Sequence, residues 1–438
     1  MSRLFFEKKL YNFFILAYLV KYYHVLKKSQ KNPAYLKKTQ EKNIKKFVNY
    51  IYTIPFYRQR FDACKLTPKD IVTEKDFQKL PLLTKAEYKE WIQSTVAQNP
   101  ESYKQYNITS SSGSAGVPLK LYRYPSDVAS DIANLYRGIL MQNAGYRIFR
   151  DKFFSITSHG APYKENLIQK LGFLRQKQIT AAKDPANLIR EFNAFSPDFV
   201  YGNTSALQFM ATYALENQIK IHQPKCISGI SERIEHSTRQ LIEQAFGVAP
   251  FDIYGTSETG NIAIEKPNAP GQRLVWSDTH VINIIDDNGQ SKATGEGMIC
   301  VTPLLHKSFP MVNYVVGDYV EIKTENGFQY ITDIIGRTND IIRNSDGTFC
   351  TWMYINKITS ELDGVSQYRV IQNDYDTLII ELVSCDQNPE TKKKVEEELS
   401  VGFNEVFEKH PKHLVFEWKD AILPDANGKV KMFISNIK

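Results

Sequence analysis

At 438 residues the chain exceeds what one hydrophobic core sustains, so two or three domains are expected. With 42% hydrophobic and 24% charged residues and no low-complexity tract, its composition is that of a globular protein and excludes a fibrous or disordered one. The net charge of +7 is confined to the start: residues 1–50 hold twelve Lys/Arg against Glu7 and Glu41, the remainder is slightly acidic, and a nucleic-acid groove along the molecule is excluded.

Residues 4–26 contain an uncharged, mostly apolar run from Leu10 to Val20, between Lys8, Lys9 and Lys21. Eleven residues are too few to span a bilayer, and Lys21-Tyr22-Tyr23-His24 stands where a signal peptide needs small residues. Two readings stay open. Residues 1–30 form either an interfacial helix on an anionic membrane surface, at the inner face of the membrane, or a helix packed on the body of a cytoplasmic protein. Ile44, Phe47, Val48, Ile51 and Tyr52 follow helical spacing, with Pro55 as the stop. After Leu80-Pro81-Leu82-Leu83, Thr84 caps another helix with Glu87 closing the box.

Between strand-like Tyr106–Thr109 and Leu119–Tyr122 lies Ser110-Ser111-Ser112-Gly113-Ser114-Ala115-Gly116-Val117-Pro118. Small side chains, four hydroxyls and two glycines leave backbone N–H groups free to turn inward, which is the chemistry of a cradle for phosphate oxygens. A solvated turn has the same composition, and no Walker pattern is present.

Ser126–Gln142 reads as a helix and Lys152–Ile156 as a buried strand. The alternation continues with a helix at Pro185–Phe195, a strand at Asp198–Tyr201, a helix at Ser205–Glu216, a strand at Lys225–Ser228 and a helix at Ile234–Phe246. This predicts an α/β fold with a mostly parallel, doubly wound sheet that binds ligands at the C-terminal ends of its strands. From about residue 270, short strands at Val281–Ile285, Met298–Thr302, Tyr319–Lys323 and Phe328–Ile331 predict a smaller antiparallel unit. Beyond Gly336, strands at Tyr368–Gln372, Thr377–Val383 and Leu414–Trp418 and a helix at Glu390–Lys409 predict an α+β lid. The expected domains are a basic aromatic helix at 1–40, a large domain at 41–336 and a mobile lid at 337–438. Cys64, Cys226, Cys300, Cys350 and Cys385 are far apart and read as reduced thiols; His410 and His413 have no metal-ligand spacing.

Four stretches carry chemistry. The Ser/Gly loop is the first. In Asp252-Ile253-Tyr254-Gly255-Thr256-Ser257-Glu258-Thr259-Gly260, an aromatic ring suited to a purine face precedes a carboxylate suited to Mg²⁺ beside phosphates. The third joins Val316-Gly317-Asp318 to Gly336-Arg337-Thr338-Asn339-Asp340, a carboxylate for ribose hydroxyls and a guanidinium for a nucleotide. The fourth is a turn presenting Lys429 after Gly428. Each alone also reads as turn chemistry.

In order and spacing, these stretches resemble the adenylate-forming ligase superfamily, most closely its phenylacetate–CoA ligase and CapK-type capsule-associated branch. Ile54-Pro55-Phe56-Tyr57-Arg58 and Leu80-Pro81-Leu82-Leu83-Thr84-Lys85 resemble that branch's "PFYR" and "LPLxTK" elements, so the likeness runs from about residue 40 to the end. The resemblance implies that Ser111, Ser112, Gly113, Ser114 and Gly116 hold the β- and γ-phosphates of ATP. Gly229, Ser231 and Glu232, with Tyr254, Gly255 and Thr256, line the adenine. Glu258 binds Mg²⁺, Asp318 and Arg337 bind the ribose, Asn339 and Asp340 form the hinge, and Lys429 enters from the lid as the catalytic cation. Ala115, Asn339 and Val316 depart from the usual hydroxyl, acid and Thr. The implied activity is AMP-forming carboxylate activation, followed by transfer to CoA or to an amine, the latter on a uronic or amino acid of a surface polysaccharide. A non-catalytic nucleotide-binding or membrane-scaffold protein is the reading from another class. His159, Asn203 and Phe154 are candidates for the acid pocket.

Overall fold

The structure, a computed structural model, describes residues 11–110, 119–142, 144–147, 149–157, 167–172, 175–180, 184–286, 288–337, 341–346, 348–351, 358–359, 362, 364–386, 388–423 and 430–437. The chain opens with α1 (Tyr11–Lys31), α2 (Pro33–Ile51), α3 (Pro55–Ala63) and α4 (Lys85–Gln98), then the hairpin β1 (Asn107–Ser110) and β2 (Lys120–Arg123), and α5 (Pro125–Met141). Next come β3 (Lys152–Thr157), β4 (Arg175–Thr180), α6 (Pro185–Phe195), β5 (Phe199–Asn203), α7 (Thr204–Glu216), β6 (Cys226–Ile230) and α8 (His236–Phe246). A run of strands follows: β7 (Phe251–Thr256), β8 (Gly260–Lys266), β9 (Ala269–Val275), β10 (His280–Ile285), β11 (Ser291–Lys292), β12 (Gly295–Pro303), β13 (Tyr314–Glu325) and β14 (Phe328–Arg337). The C-terminal stretch comprises β15 (Ile341–Arg343), β16 (Phe349–Thr351), β17 (Val365–Gln372), β18 (Thr377–Ser384), α9 (Pro389–Val406), β19 (His413–Trp418) and β20 (Phe433–Ser435).

Contacts divide the chain into two units, each built from two stretches: 1–144 with 253–334, and 145–252 with 335–438. In the first, the apolar run of the N-terminus forms the front half of α1. Asn32 separates α1 from α2 by accepting from the Ala34 N–H (3.1 Å), with Pro33 at the first helical position, where its missing N–H costs nothing. Ile15, Leu19, Tyr22, Val25 and Leu26 recur at helical spacing and bury one face of α1, which packs on α5. The Tyr22 hydroxyl meets Ser130 Oγ at 2.7 Å. The helix therefore packs on the body of the protein, and no helix among the described residues is long and apolar enough to cross a membrane. The periodicity at 44–52 ends at Ile51; Pro55 starts α3 rather than closing α2, again because proline suits the first helical turn.

Behind α5 lies a buried ion pair. Arg137 grips Asp278 through both oxygens (3.1 and 2.8 Å) under the rings of Trp276 and Tyr22, 4.0 and 5.7 Å away. The sheet of this unit is antiparallel, in the order β11-β10-β12-β13-β14-β9-β8 and then the end of β7. It begins at residue 253, earlier than the sequence pattern suggests. β8 and β9 were not expected from the sequence, because Gly260, Asn261 and Pro270-Gly271 break the alternation.

In the second unit, β4-β3-β5-β6 are parallel, and the first residues of β7 continue them through Ser228 opposite Phe251. Leu188, Phe192, Leu207, Met210, Ile242 and Phe246, from α6, α7 and α8, pack with Phe154, Ile156 and Val200 of the strands. Because β4 lies on one side of β3 and β5 on the other, the strand order reverses there, and the carboxyl ends of β3 and β5 flank the crevice that binds ligands in such sheets. The polar edge strand β4 (RQKQIT) has no apolar pattern and was not expected from the sequence. The C-terminal stretch forms a second sheet, β19-β18-β17-β20, with β18–β19 and β17–β20 parallel, covered by Val395, Leu399 and Phe403 of α9. Gln208 Nε2 donates to Ser366 O (3.1 Å), joining α7 to β17.

Candidate active site

Several residues singled out in the sequence lie outside the described residues: Ser111, Ser112, Gly113, Ser114, Ala115 and Gly116 of the Ser/Gly loop, Asn339, Asp340, Lys429 and His159. Arg337 ends β14, and only its backbone is described. The remainder form two groups, one in each unit.

In the unit of 1–144 and 253–334, β7 shifts register with β8 at Tyr254/Gly255 and ends in the turn bearing Ser257 and Glu258. Thr256 Oγ1 accepts from the Thr259 N–H (3.1 Å), a short polar turn that competes with further pairing. Gly260 closes it at φ +77°, and a Cβ there would sit 2.3 Å from Asp131 Oδ1, so no other residue fits. From below, the Arg123 guanidinium of β2 donates to the carbonyls of Ser257 (2.9 Å) and Glu258. Arg123 is itself held by Asp131 (3.3 Å) and His306 Nδ1 (3.0 Å), while His306 Nε2 lies 2.8 Å from Asp131 Oδ1. Burial opposes ionisation of Asp131, but His306 and Arg123 outweigh it and hold the carboxyl below its usual range. His280, 3.1 Å from the Thr259 carbonyl, is pushed down to about 4 by burial and by His306, so it stays neutral at pH 7.

The turn is thus fixed by its backbone, and the Glu258 side chain is left to other work. Among the described residues it forms an ion pair with Lys85 Nζ, at 3.7 Å. Lys85 is the first residue of α4, placed by the Thr84 cap: Glu87 Oε2 accepts from the Thr84 N–H (2.9 Å) and hydroxyl (2.7 Å), and Thr84 Oγ1 accepts from the Glu87 N–H (3.2 Å). Leu83 bridges β13 through Asn313 and Val315, which anchors the whole Leu80–Lys85 element. On β13, Asp318 Oδ2 accepts from the Tyr254 hydroxyl at 2.9 Å. Two positions 64 residues apart, one expected to line the adenine and the other to hold the ribose, are therefore neighbours.

In the unit of 145–252 and 335–438, Gly229 lies in the wholly buried β6, and Ser231 and Glu232 follow it. A Cβ on Gly229 would lie 2.6 Å from Ile234 Cδ1 and 2.8 Å from Thr204 Oγ1. Ser231 Oγ donates to Asn203 Oδ1 (3.3 Å), at the carboxyl end of β5. The Glu232 carboxylate sits at the N-terminus of α7, accepting from the Ser205 N–H (2.8 Å) and hydroxyl (3.2 Å), where the helix dipole favours a negative charge. Its Oε1 also accepts from the Val430 N–H at 3.2 Å. Val430 follows Lys429 in the chain, so Glu232 tethers the segment that carries the expected catalytic lysine. Asn203 is buried at the strand end, whereas Phe154 is part of the hydrophobic core.

Lys85, Arg123, Asp131, His280 and His306 escaped the sequence reading. Lys85 alone had a signal, as the last residue of the "LPLxTK" element; the others are single polar residues brought together across as many as 183 positions.

Residues 342–436 match the CapK C-terminal domain model. Over 426 residues the chain is 26% identical to protein CapK of Staphylococcus aureus, covering 91% of this chain and 89% of that one. It is 25% identical to a phenylacetate–coenzyme A ligase of Pseudomonas putida over 312 residues, 66% of this chain and 67% of the relative. Among solved structures, a 2-hydroxyisobutyryl-CoA ligase in the postadenylation state, in complex with R3-HIB-AMP, aligns with a TM-score of 0.71 at 16% identity, over 92% of this chain and 90% of that one. The fold is that of the adenylate-forming, acyl-AMP ligase superfamily. Among the relatives, the likeness to CapK runs over most of the chain and includes its C-terminal stretch.

Proposed function

We propose that the chain is an AMP-forming ligase: a substrate carboxylate attacks the α-phosphorus of ATP, pyrophosphate leaves, and the acyl group of the acyl-adenylate passes to CoA or an amine. The observation that carries this reading is the Thr256–Gly260 turn. Its backbone is clamped by Arg123 and Asp131 while Glu258 keeps its carboxylate for a ligand. A single carboxylate beside a hydroxyl fits Mg²⁺, which takes most of its ligands from phosphates and water, and among the described residues no larger cluster of acidic, His and Cys ligands competes for it. When bound, Mg²⁺ would neutralise charge that builds on the phosphates. Glu258 would hold it, Lys85 would balance the carboxylate, and the Tyr254–Asp318 pair would fix the nucleoside. The Ser/Gly loop would grip the pyrophosphate side, Arg337 the ribose, and Lys429 the α-phosphate. Fixing these groups beforehand removes reorganisation from the reaction step.

For the acceptor, the likeness to phenylacetate–CoA ligases supports thioester formation on CoA, with amide formation on a uronic or amino acid of a surface polysaccharide as the alternative. The test is ATP–pyrophosphate exchange over aromatic, fatty and uronic acids, with CoA and amine acceptors added in turn. Exchange with at least one acid is expected, and Glu258→Gln should lower it on the order of 10²–10³-fold. Absence of exchange with every acid would leave a non-catalytic nucleotide-binding protein as the better reading.

A further inference from the structure

Between α1 and α2 lies a cavity of about 400 Å³, lined by Lys21, His24, Lys42 and Lys46 with Val20, Tyr35, Thr39 and Asn43 among its walls. The helices are fixed around it: α1 by its face against α5, α2 by Ile44, Phe47, Val48 and Ile51 in the core, so the cavity is a built feature of the fold. Two of its neutral polar groups are already engaged. Thr39 donates to the Tyr35 carbonyl (2.8 Å) and Asn43 to the Asp278 carbonyl (2.7 Å). The nearest acid to exert a field there, Asp278, is spent on Arg137. Among the described residues no carboxylate is in ion-pair range of Lys21, Lys42 or Lys46. Three lysines thus line one cavity in which, among the described residues, no carboxylate pairs with them.

We propose that this cavity binds a phosphoryl group, as a site separate from the nucleotide-binding residues. A dianionic phosphoryl or diphosphate group matches three lysines on the walls of one cavity and offsets their mutual repulsion. Burial above all, with Lys46, Lys42 and Arg137, presses the Lys21 pKa below the ordinary lysine range against the opposing pull of Asp278, a state that a bound anion would relieve. Beside the cavity, α1 leaves Phe13 and Val20 each 62% exposed, at positions that share a helix face with His24. The phosphoryl group therefore has two sources: the headgroup of a lipid whose chains meet that apolar ridge, or a water-soluble phosphate ester.

The full-length protein should be sedimented with phosphatidylcholine vesicles with and without phosphatidic acid, and titrated calorimetrically with inorganic phosphate. In Lys42→Gln/Lys46→Gln, both residues being exposed, thermal stability should hold while binding weakens about tenfold or more. Lys27→Gln/Lys37→Gln, which removes equal charge outside the cavity, should change binding by less than about threefold. Phosphatidic-acid-dependent sedimentation lost only in the first variant supports the site with a lipid source. Calorimetric phosphate binding lost only in the first variant, without vesicle binding, supports it with a soluble source. Equal losses in both variants would reduce the effect to a diffuse basic field and overturn the site, as would failure of wild type to bind either probe. Neither lysine belongs to the adenylation machinery, so pyrophosphate exchange should be unchanged in Lys42→Gln/Lys46→Gln whether or not the cavity binds.

Discussion

The residue with the most disproportionate role is Arg123. One guanidinium fixes two consecutive carbonyls of the turn that carries Glu258, and it is fixed in turn by Asp131 and His306. Arg123→Gln should cost about 2–4 kcal/mol of stability, because Asp131 loses a buried cationic partner, and should lower pyrophosphate exchange as the turn loosens; calorimetric melting and exchange assays read the two effects. His280 supplies a pH signature. Its folded pKa of about 4 lies below the unfolded value near 6.5, so the unfolded chain takes up the proton first. Its contribution is full above about pH 6.5 and is lost as pH falls toward 4, by roughly 3 kcal/mol, an upper bound. Urea titrations across that window should show the slope, and His280→Gln should flatten it. Motif residues such as Glu258, Tyr254 and Asp318 were legible because they sit in short patterned runs at strand ends. Arg123, Asp131 and His306 were not, since a charged residue becomes a turn clamp only when the fold brings three distant segments together.

At the scale of elements, the pieces most faithfully foreshadowed were those with strong periodicity or explicit caps. The helix expected at Pro185–Phe195 has those bounds, with Asp184 accepting from the Asn187 N–H (3.1 Å) and Pro185 at its start. The strands that escaped were polar, like β4, or interrupted by glycine and proline, like β8 and β9, since their place in a sheet is decided by neighbours rather than by their own pattern. For α1 the sequence left two environments open because an amphipathic helix with basic flanks has the same pattern on a membrane as on α5. Removing residues 1–31 should therefore strip the buried face of α5, including Ala129, Ala133 and Tyr136, and yield aggregated protein by light scattering, whatever the chain does at membranes. The loop after β6 makes a sharper forecast. Glu232→Ala removes the acceptor of the Val430 N–H, so proteolysis between Lys419 and Lys431 should accelerate several-fold, while the α8 region stays as protected as before.

At the scale of the whole molecule, the sequence shows a linear alternation of elements but not how they are shared between two contact units. Each unit draws on stretches that other chain interrupts, and no run of composition marks those crossings. The contacts that close the first unit are correspondingly remote: Asn43 to the Asp278 carbonyl across 235 positions, and Tyr57 to the Pro310 carbonyl (2.5 Å) across 253. Such a unit is slow to form, because loop closure precedes its reward. On a ribosome adding roughly 5–20 residues per second, Asn43 waits about 12–47 s after its own synthesis before its partner exists. For that interval the faces of α2 and α5 that pack on later strands are made but uncovered. A nascent chain stalled at residue 252 should thus remain protease-sensitive and recruit chaperones, while one extended past residue 334 should gain protection in its first 140 residues. The interleaving of two units along one polypeptide makes the timing of translation part of how this protein reaches its native state.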